Sequence, residues 1–181
     1  MRVPLRTFLI ASFLFVAVFG CMNGTGAGDT ETVAEPLVVF LVRHGEKVDA
    51  SSDPELSTAG HRRAAALADA LRDARLEHVH SSDYTRTRDT ATPTAEALGL
   101  DVQLYDPRDL KMMAVHLAAS GGRHLVVGHS NTTPALVELL GGEAGTEIDE
   151  PAEYDRLYIV TRGKDGTLSS LLLRYGAPYK P

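Results

Sequence analysis

The sequence predicts an α/β domain: a three-layer sandwich with helices on both faces of a mainly parallel sheet and an antiparallel hairpin at the C-terminal end. Three observations carry this. Short apolar, β-branched runs such as residues 36–42 and 124–127 alternate with stretches of helical periodicity. The last two runs, 156–161 and 168–174, are joined through Gly163-Lys164-Asp165-Gly166, a hairpin signal. The chain has 181 residues, 44% hydrophobic and 23% charged, which suits one domain with a proper core and is short for two.

The first 20 residues are expected to lie outside that domain. Arg2 and Arg6 precede an apolar-rich run over 8–20 that falls short of the about 20 apolar residues a spanning helix needs. The run ends at Cys21, the chain's single cysteine. The segment resembles a bacterial lipoprotein signal, which implies cleavage before Cys21, lipid on its thiol, and an exported protein anchored to a membrane at the periplasmic or cell-surface side. Ordinary secretion with cleavage a few residues later is the alternative. A lone cysteine excludes an intramolecular disulfide. Residues 21–35, rich in Gly, Thr, Ala and acids, read as a flexible tether, and residues 36–181 as the domain.

Within the domain, residues 36–42 form a continuous apolar run, as expected of a strand covered on both faces. Ser57 offers a helix N-cap, and Ala64, Leu67, Ala68 and Leu71 recur at i, i+3, i+4 and i+7. Residues 77–81 read as a second strand. A polar segment containing Arg86 leads into a helix closed by Gly99, with Pro93 limiting how far it extends backwards. Residues 101–105 are a third strand. Asp106-Pro107 opens the next helix, which ends near Gly121-Gly122. The strand over 124–127 and a helix over 133–140, stopped by Gly141-Gly142, precede the hairpin.

Open parallel sheets bind ligands beyond the carboxyl ends of their strands. The residues there are Arg43-His44-Gly45, Ser81-Ser82, Asp106 and Gly128-His129-Ser130. Two of these ends carry a histidine beside a glycine, and neighbouring parallel strands would bring His44 and His129 to one mouth. Arg43 needs an anionic partner at such a place, since an unpaired buried cation is very costly. A phosphoryl dianion would satisfy it, and Gly45 would let backbone approach the ligand. The net charge of −6, from 18 basic and 24 acidic residues, gives no basic face for nucleic acid, so any anion must be held by a few placed arginines.

Leu41-Val42-Arg43-His44-Gly45 resembles the signature of the histidine phosphatase superfamily, the phosphoglycerate mutase-like enzymes. Three further segments match in order: Leu56-Ser57-Thr58-Ala59-Gly60, the stretch from Ser82 through Arg86 to Thr90-Ala91, and Val127-Gly128-His129-Ser130. The resemblance spans residues 37–175. It implies a phosphoric monoester hydrolase in which His44 forms a phosphohistidine that water then releases. Arg43, Arg86 and His129 would clamp the phosphoryl oxygens, with Gly45 and Ser130 also in the substrate site. It implies a small phosphorylated substrate and no cofactor or metal.

The resemblance does not assign the general acid, because the glutamate segment of mutase-type relatives has no clear copy here. Asp106, at a strand end, is the candidate acid; an ordinary helix start is the alternative for it. A phosphohistidine phosphatase acting on proteins and a non-catalytic phospholigand-binding lipoprotein on the same fold are the competing functions. A mutase would need extra segments that this domain is too short to carry.

Other residues have local readings. Arg88 belongs at the rim or in a surface ion pair, and Glu46 orients its loop or pairs with an arginine. Lys47 contacts substrate or is solvated. Ser82 hydrogen-bonds locally. Ser130 lacks the Gly-x-Ser-x-Gly elbow of a hydrolase nucleophile. His78 and His80 would share one strand face, but no third metal ligand is placed by the sequence, and His61, His116 and His124 read as structural or solvated.

Overall fold

The structure is a computed structural model and describes residues 35–180. The signal segment, the Cys21 lipidation site and most of the tether fall outside the described residues. The elements are β1 (Leu37–Arg43), α1 (Thr58–Leu71), β2 (His78–Ser82), α2 (Thr85–Leu98), β3 (Val102–Tyr105), α3 (Leu110–Ser120), β4 (Gly122–Gly128), α4 (Thr132–Leu139), β5 (Arg156–Arg162) and β6 (Leu168–Arg174).

The six strands form one sheet in the order β3-β2-β4-β1-β5-β6. The four on the left of that order are parallel, and β5 and β6 are antiparallel, as the terminal hairpin signal anticipates. Alternation along β1 sends its side chains to two cores. Leu37, Val39 and Leu41 pack with Met113 and Leu117 of α3 and Leu136 and Val137 of α4. Phe40 and Val42 pack on the other face with Leu67 and Leu71 of α1 and Ala91 and Ala95 of α2. Being covered on both faces is why β1 reads as an unbroken apolar run rather than an alternating one.

Helix ends show which sequence signals act. Ser57 caps α1, its side chain accepting from the Gly60 amide, and Gly99 closes α2 in the left-handed region at φ 67°. Two expectations need correction. Pro93 lies inside α2 instead of limiting it. Thr87, Thr90, Ala91, Thr94 and Ala95 are buried along that helix, and this packing outweighs the single backbone bond that proline forfeits. Asp106 does not cap α3. Asp109 does, its side chain accepting from the Met112 amide, so the helix starts one turn later.

Candidate active site

Register places the two histidines. Arg43 pairs with Gly128 across β1 and β4, and the His44 amide donates to the Gly128 carbonyl, extending the ladder by one residue. The next residue on each strand is a histidine, and the rings of His44 and His129 stand 5.4 Å apart at 70°. They line a cleft of about 340 Å³ with Lys47, Tyr84, Arg86, Arg108, Ser130, Asn131, Thr132 and Glu150.

Hydrogen bonds fix the proton positions. His44 Nδ1 lies 2.7 Å from the Gly45 carbonyl, which can only accept, so the proton sits on Nδ1 and Nε2 keeps its lone pair. Burial drives the His44 pKa down to about 3 against the raising effect of the Gly45 hydrogen bond, and Arg43, His129 and Arg86 add to the fall. His44 is therefore a neutral base with a nucleophilic Nε2 at any ordinary pH.

His129 is set differently. Arg86 Nη2 approaches its Nδ1 at 3.4 Å, and a guanidinium only donates, so Nδ1 accepts and Nε2 carries the proton. Nε2 donates to Ser82 Oγ at 2.9 Å, which donates to Thr87 Oγ1 at 3.1 Å. Burial, followed by Arg86 and Arg43, lowers the His129 pKa to about 4.

The arginines are under-satisfied. Arg86 leans on the Tyr84 ring and has an ion contact of 3.5 Å from Nη1 to Asp53. Neither its buried Nε nor its buried Nη1 makes a hydrogen bond. Arg43, 1% exposed, stacks on Tyr154 at 3.9 Å. It donates to the Glu153 carbonyl at 2.8 Å and to Glu150 Oε1 at 2.9 Å, leaving its Nε without a partner. Lys47 Nζ lies 3.6 Å from the same Glu150 oxygen. A carboxylate thus engages the cations beside His44 from the edge of the cleft. Buried donors without acceptors are rare and costly, and here they point to an anionic ligand.

The structure gathers His44, Arg43, Arg86, His129 and Ser130 around this cleft, although Arg43 stands behind it and does not line it. It does not bring Asp106 there. Asp106 is bound on the surface by Arg108 Nε and Nη2, both at 2.9 Å, and these bonds hold its carboxyl below the usual range. An ionised carboxylate outside the cleft is poorly placed to protonate a leaving group. The structure also gives Gly45 another purpose. A Cβ there would lie 2.9 Å from Gly60 Cα, so its close approach is to the start of α1 and not to a ligand, while its amide donates to Thr90 Oγ1.

The subsidiary readings resolve locally. Glu46 pairs with the buried Arg63, and Arg88 pairs with Asp83 at the surface. His78 stacks on His124 at 4.7 Å, and its ring stands 6.1 Å from that of His80. Sequence reasoning gives no site role to Glu150, Tyr154, Tyr84 or Thr90, nor to Arg108, Asn131 and Thr132 of the cleft lining. Glu150 and Tyr154 lie in an irregular loop with no pattern to mark them. Tyr84 and Thr90 sit within the arginine segment, whose match to a known motif was the available signal.

Residues 39–108 match the sequence profile of the histidine phosphatase superfamily (branch 1). A protein of Yersinia enterocolitica described as a probable phosphoglycerate mutase GpmB is 40% identical over 79 residues, covering 40% of this chain and 36% of that one. The chain thus matches about a third of the length of these curated relatives. Among solved structures, the protein histidine phosphatase SixA complexed with tungstate superposes with a TM-score of 0.63 at 22% identity, covering 76% of this chain and 97% of that one. A phosphoglycerate mutase from Bacillus anthracis gives 0.59 at 16% identity, covering 79% and 95%.

Proposed function

We propose that this chain, whose residues 39–108 match the histidine phosphatase superfamily, hydrolyses a small phosphomonoester through a phosphohistidine on His44. The observation that carries this is a bare, desolvated Nε2 on His44 beside buried guanidinium donors that lack acceptors. A phosphoryl group bound there would take hydrogen bonds from Arg86 and Arg43, which a planar guanidinium offers in the forked geometry phosphate prefers. His44 Nε2 would attack phosphorus as the bond to the leaving oxygen breaks, and water would then attack phosphorus and break the P–N bond.

Glu150 is the carboxyl best placed to serve the leaving group. It lines the cleft and is held by Arg43 and Lys47. An arriving dianion competes for both cations and frees the carboxyl to face the leaving oxygen. Glu150 would then give its proton to the leaving oxygen and take one from the attacking water. Ser130 and His129 would complete the hold on the phosphate.

A second reading is supported by the ion-paired state of Glu150. A phosphohistidine substrate has a nitrogen leaving group that departs without a strong acid, and protein histidine phosphatase SixA shares the fold. The test is turnover of p-nitrophenyl phosphate in EDTA, compared with phosphoramidate. Ester hydrolysis abolished by His44→Ala supports the proposal. Turnover of phosphoramidate alone supports the second reading, and full ester activity in His44→Ala overturns the nucleophile.

Export with a lipid on Cys21 is also proposed, from the charged and apolar pattern of the first 21 residues. Labelled palmitate incorporated by the native chain and lost in Cys21→Ser supports it. A cytosolic, unlabelled product removes it.

A further inference from the structure

Away from the phosphoryl cleft, His80 of β2, β3 and the start of α3 line a second cavity, of about 490 Å³. Asp109, Met112, Met113 and His116 recur at i, i+3, i+4 and i+7, so one stripe of α3 faces it. Across the cavity stands His80, 2% exposed, with its ring 5.8 Å from that of His116 at 82°.

The proton on His80 is fixed by a relay. His124 Nε2 lies against the Gly121 carbonyl, which can only accept, so that nitrogen carries the proton and His124 Nδ1 must accept. His80 Nε2, 3.0 Å from it, is therefore the donor. His80 Nδ1 is left as a lone pair with no hydrogen-bond partner among the described residues, on a ring that lines the cavity. This is how a metal-binding imidazole is usually prepared: the far N–H is tied to an acceptor, and the near nitrogen is left free and oriented.

The geometry points to a binding site for a soft monovalent metal ion, Cu(I), held by His80 Nδ1, an imidazole nitrogen of His116 and the thioether of Met112 or Met113. Metal–nitrogen bonds of about 2 Å to two imidazoles put their ring centres roughly 6 Å apart when the bonds are near opposite, close to the spacing seen here. The set selects among metals. Thioether and imidazole suit Cu(I), whereas Mg and Ca want oxygen. Among the described residues no group of three or more His, Cys, Asp or Glu gathers for a harder ion such as Zn(II). The carboxylates at the cavity are already engaged, Asp109 capping α3 and Asp106 bound to Arg108.

The test is competition for Cu(I) against a chromophoric Cu(I) chelator without oxygen, on the full chain carrying Cys21→Ser so that the thiol does not contribute. The expected result is one Cu(I) per chain, with both Cu–N and Cu–S scattering in X-ray absorption. His116→Ala and the double variant Met112→Leu, Met113→Leu should each weaken retention at least tenfold. His116 is exposed, and Met-to-Leu exchanges conserve volume, so both should fold, as circular dichroism checks. No retention by the parent chain, unchanged retention in both variants, or tighter Zn(II) than Cu(I) binding at these residues overturns the inference.

Discussion

Glu150 Oε1 accepts from Arg43 Nη2 at 2.9 Å, joining a carboxylate that is 56% exposed at the edge of the cleft to a guanidinium that is 1% exposed behind the nucleophile. The pair spans 107 residues and connects β1 to the irregular loop before β5. It ties a carboxylate that lines the cleft to a cation for which an arriving anion would compete.

Glu150→Gln should therefore lower kcat for alkyl phosphates by about 10²- to 10⁴-fold, the usual contribution of a general acid. The loss should be smaller for p-nitrophenyl phosphate, whose leaving group needs little protonation. Asp106→Asn should change neither rate more than about twofold, as expected for a solvated surface pair. The reverse ranking in steady-state kinetics would return the acid's role to Asp106.

The pH profile of kcat/KM reports the free enzyme's essential groups. His44 is depressed to about 3, chiefly by burial, so its reactive neutral form persists as the solution is acidified. The acid limb due to the nucleophile should lie well below pH 6.5, with activity retained at pH 5 on a substrate whose own ionisation is corrected for. A limb at 6.5 that His129→Asn leaves in place would show that His44 titrates as an ordinary histidine.

Anion binding should take up a proton. In the free site His129 Nδ1 accepts from Arg86, and its pKa is lowered to about 4. A dianion replaces that arrangement and favours a protonated ring that donates. The bound pKa then exceeds the free one, so affinity rises as pH falls through the bound value and levels off below the free value. Sulfate, which does not titrate in this range, should inhibit more strongly at pH 5 than at pH 8, by at most tenfold per unit. An inhibition constant flat across that range, or an equal slope in His129→Asn, removes His129 as the proton acceptor.

Much of this was legible because it depends on local pattern. The β1 run, the Ser57 cap and the Gly99 stop follow from side-chain chemistry within a few residues. His44 and His129 were legible because their strand ends announce themselves in sequence. Asp106 misled because Asp-Pro is a strong helix-start signal, yet Asp109 three residues on offers the same cap. Pro93 misled because propensity yields to the buried face of α2. Glu150 and Tyr154 were illegible for a different reason. Their loop is positioned by long-range partners, with Glu153 buried between Arg156 and Arg174, and no nearby residue encodes that.

Gly60 tests how the nucleophile loop is held. A Cβ at Gly60 would lie 2.3 Å from the Glu46 carbonyl, and one at Gly45 would lie 2.9 Å from Gly60. The two backbones cross in contact, with Glu46 further tied to Arg63 through three hydrogen bonds of 2.8 to 3.1 Å. Gly60→Ala cannot be relieved by rotating a side chain, because the obstacle is backbone on both sides. The loop carrying Arg43-His44-Gly45 must move, and with it the Gly45 carbonyl that fixes the His44 proton. Overpacking of this kind costs about 1 to 3 kcal/mol. Denaturant unfolding should show that loss, and kcat should fall more than KM rises, because a displaced Nε2 is misaligned even when the phosphate is bound. Unchanged stability and kcat in Gly60→Ala would mean that the crossing does not constrain His44.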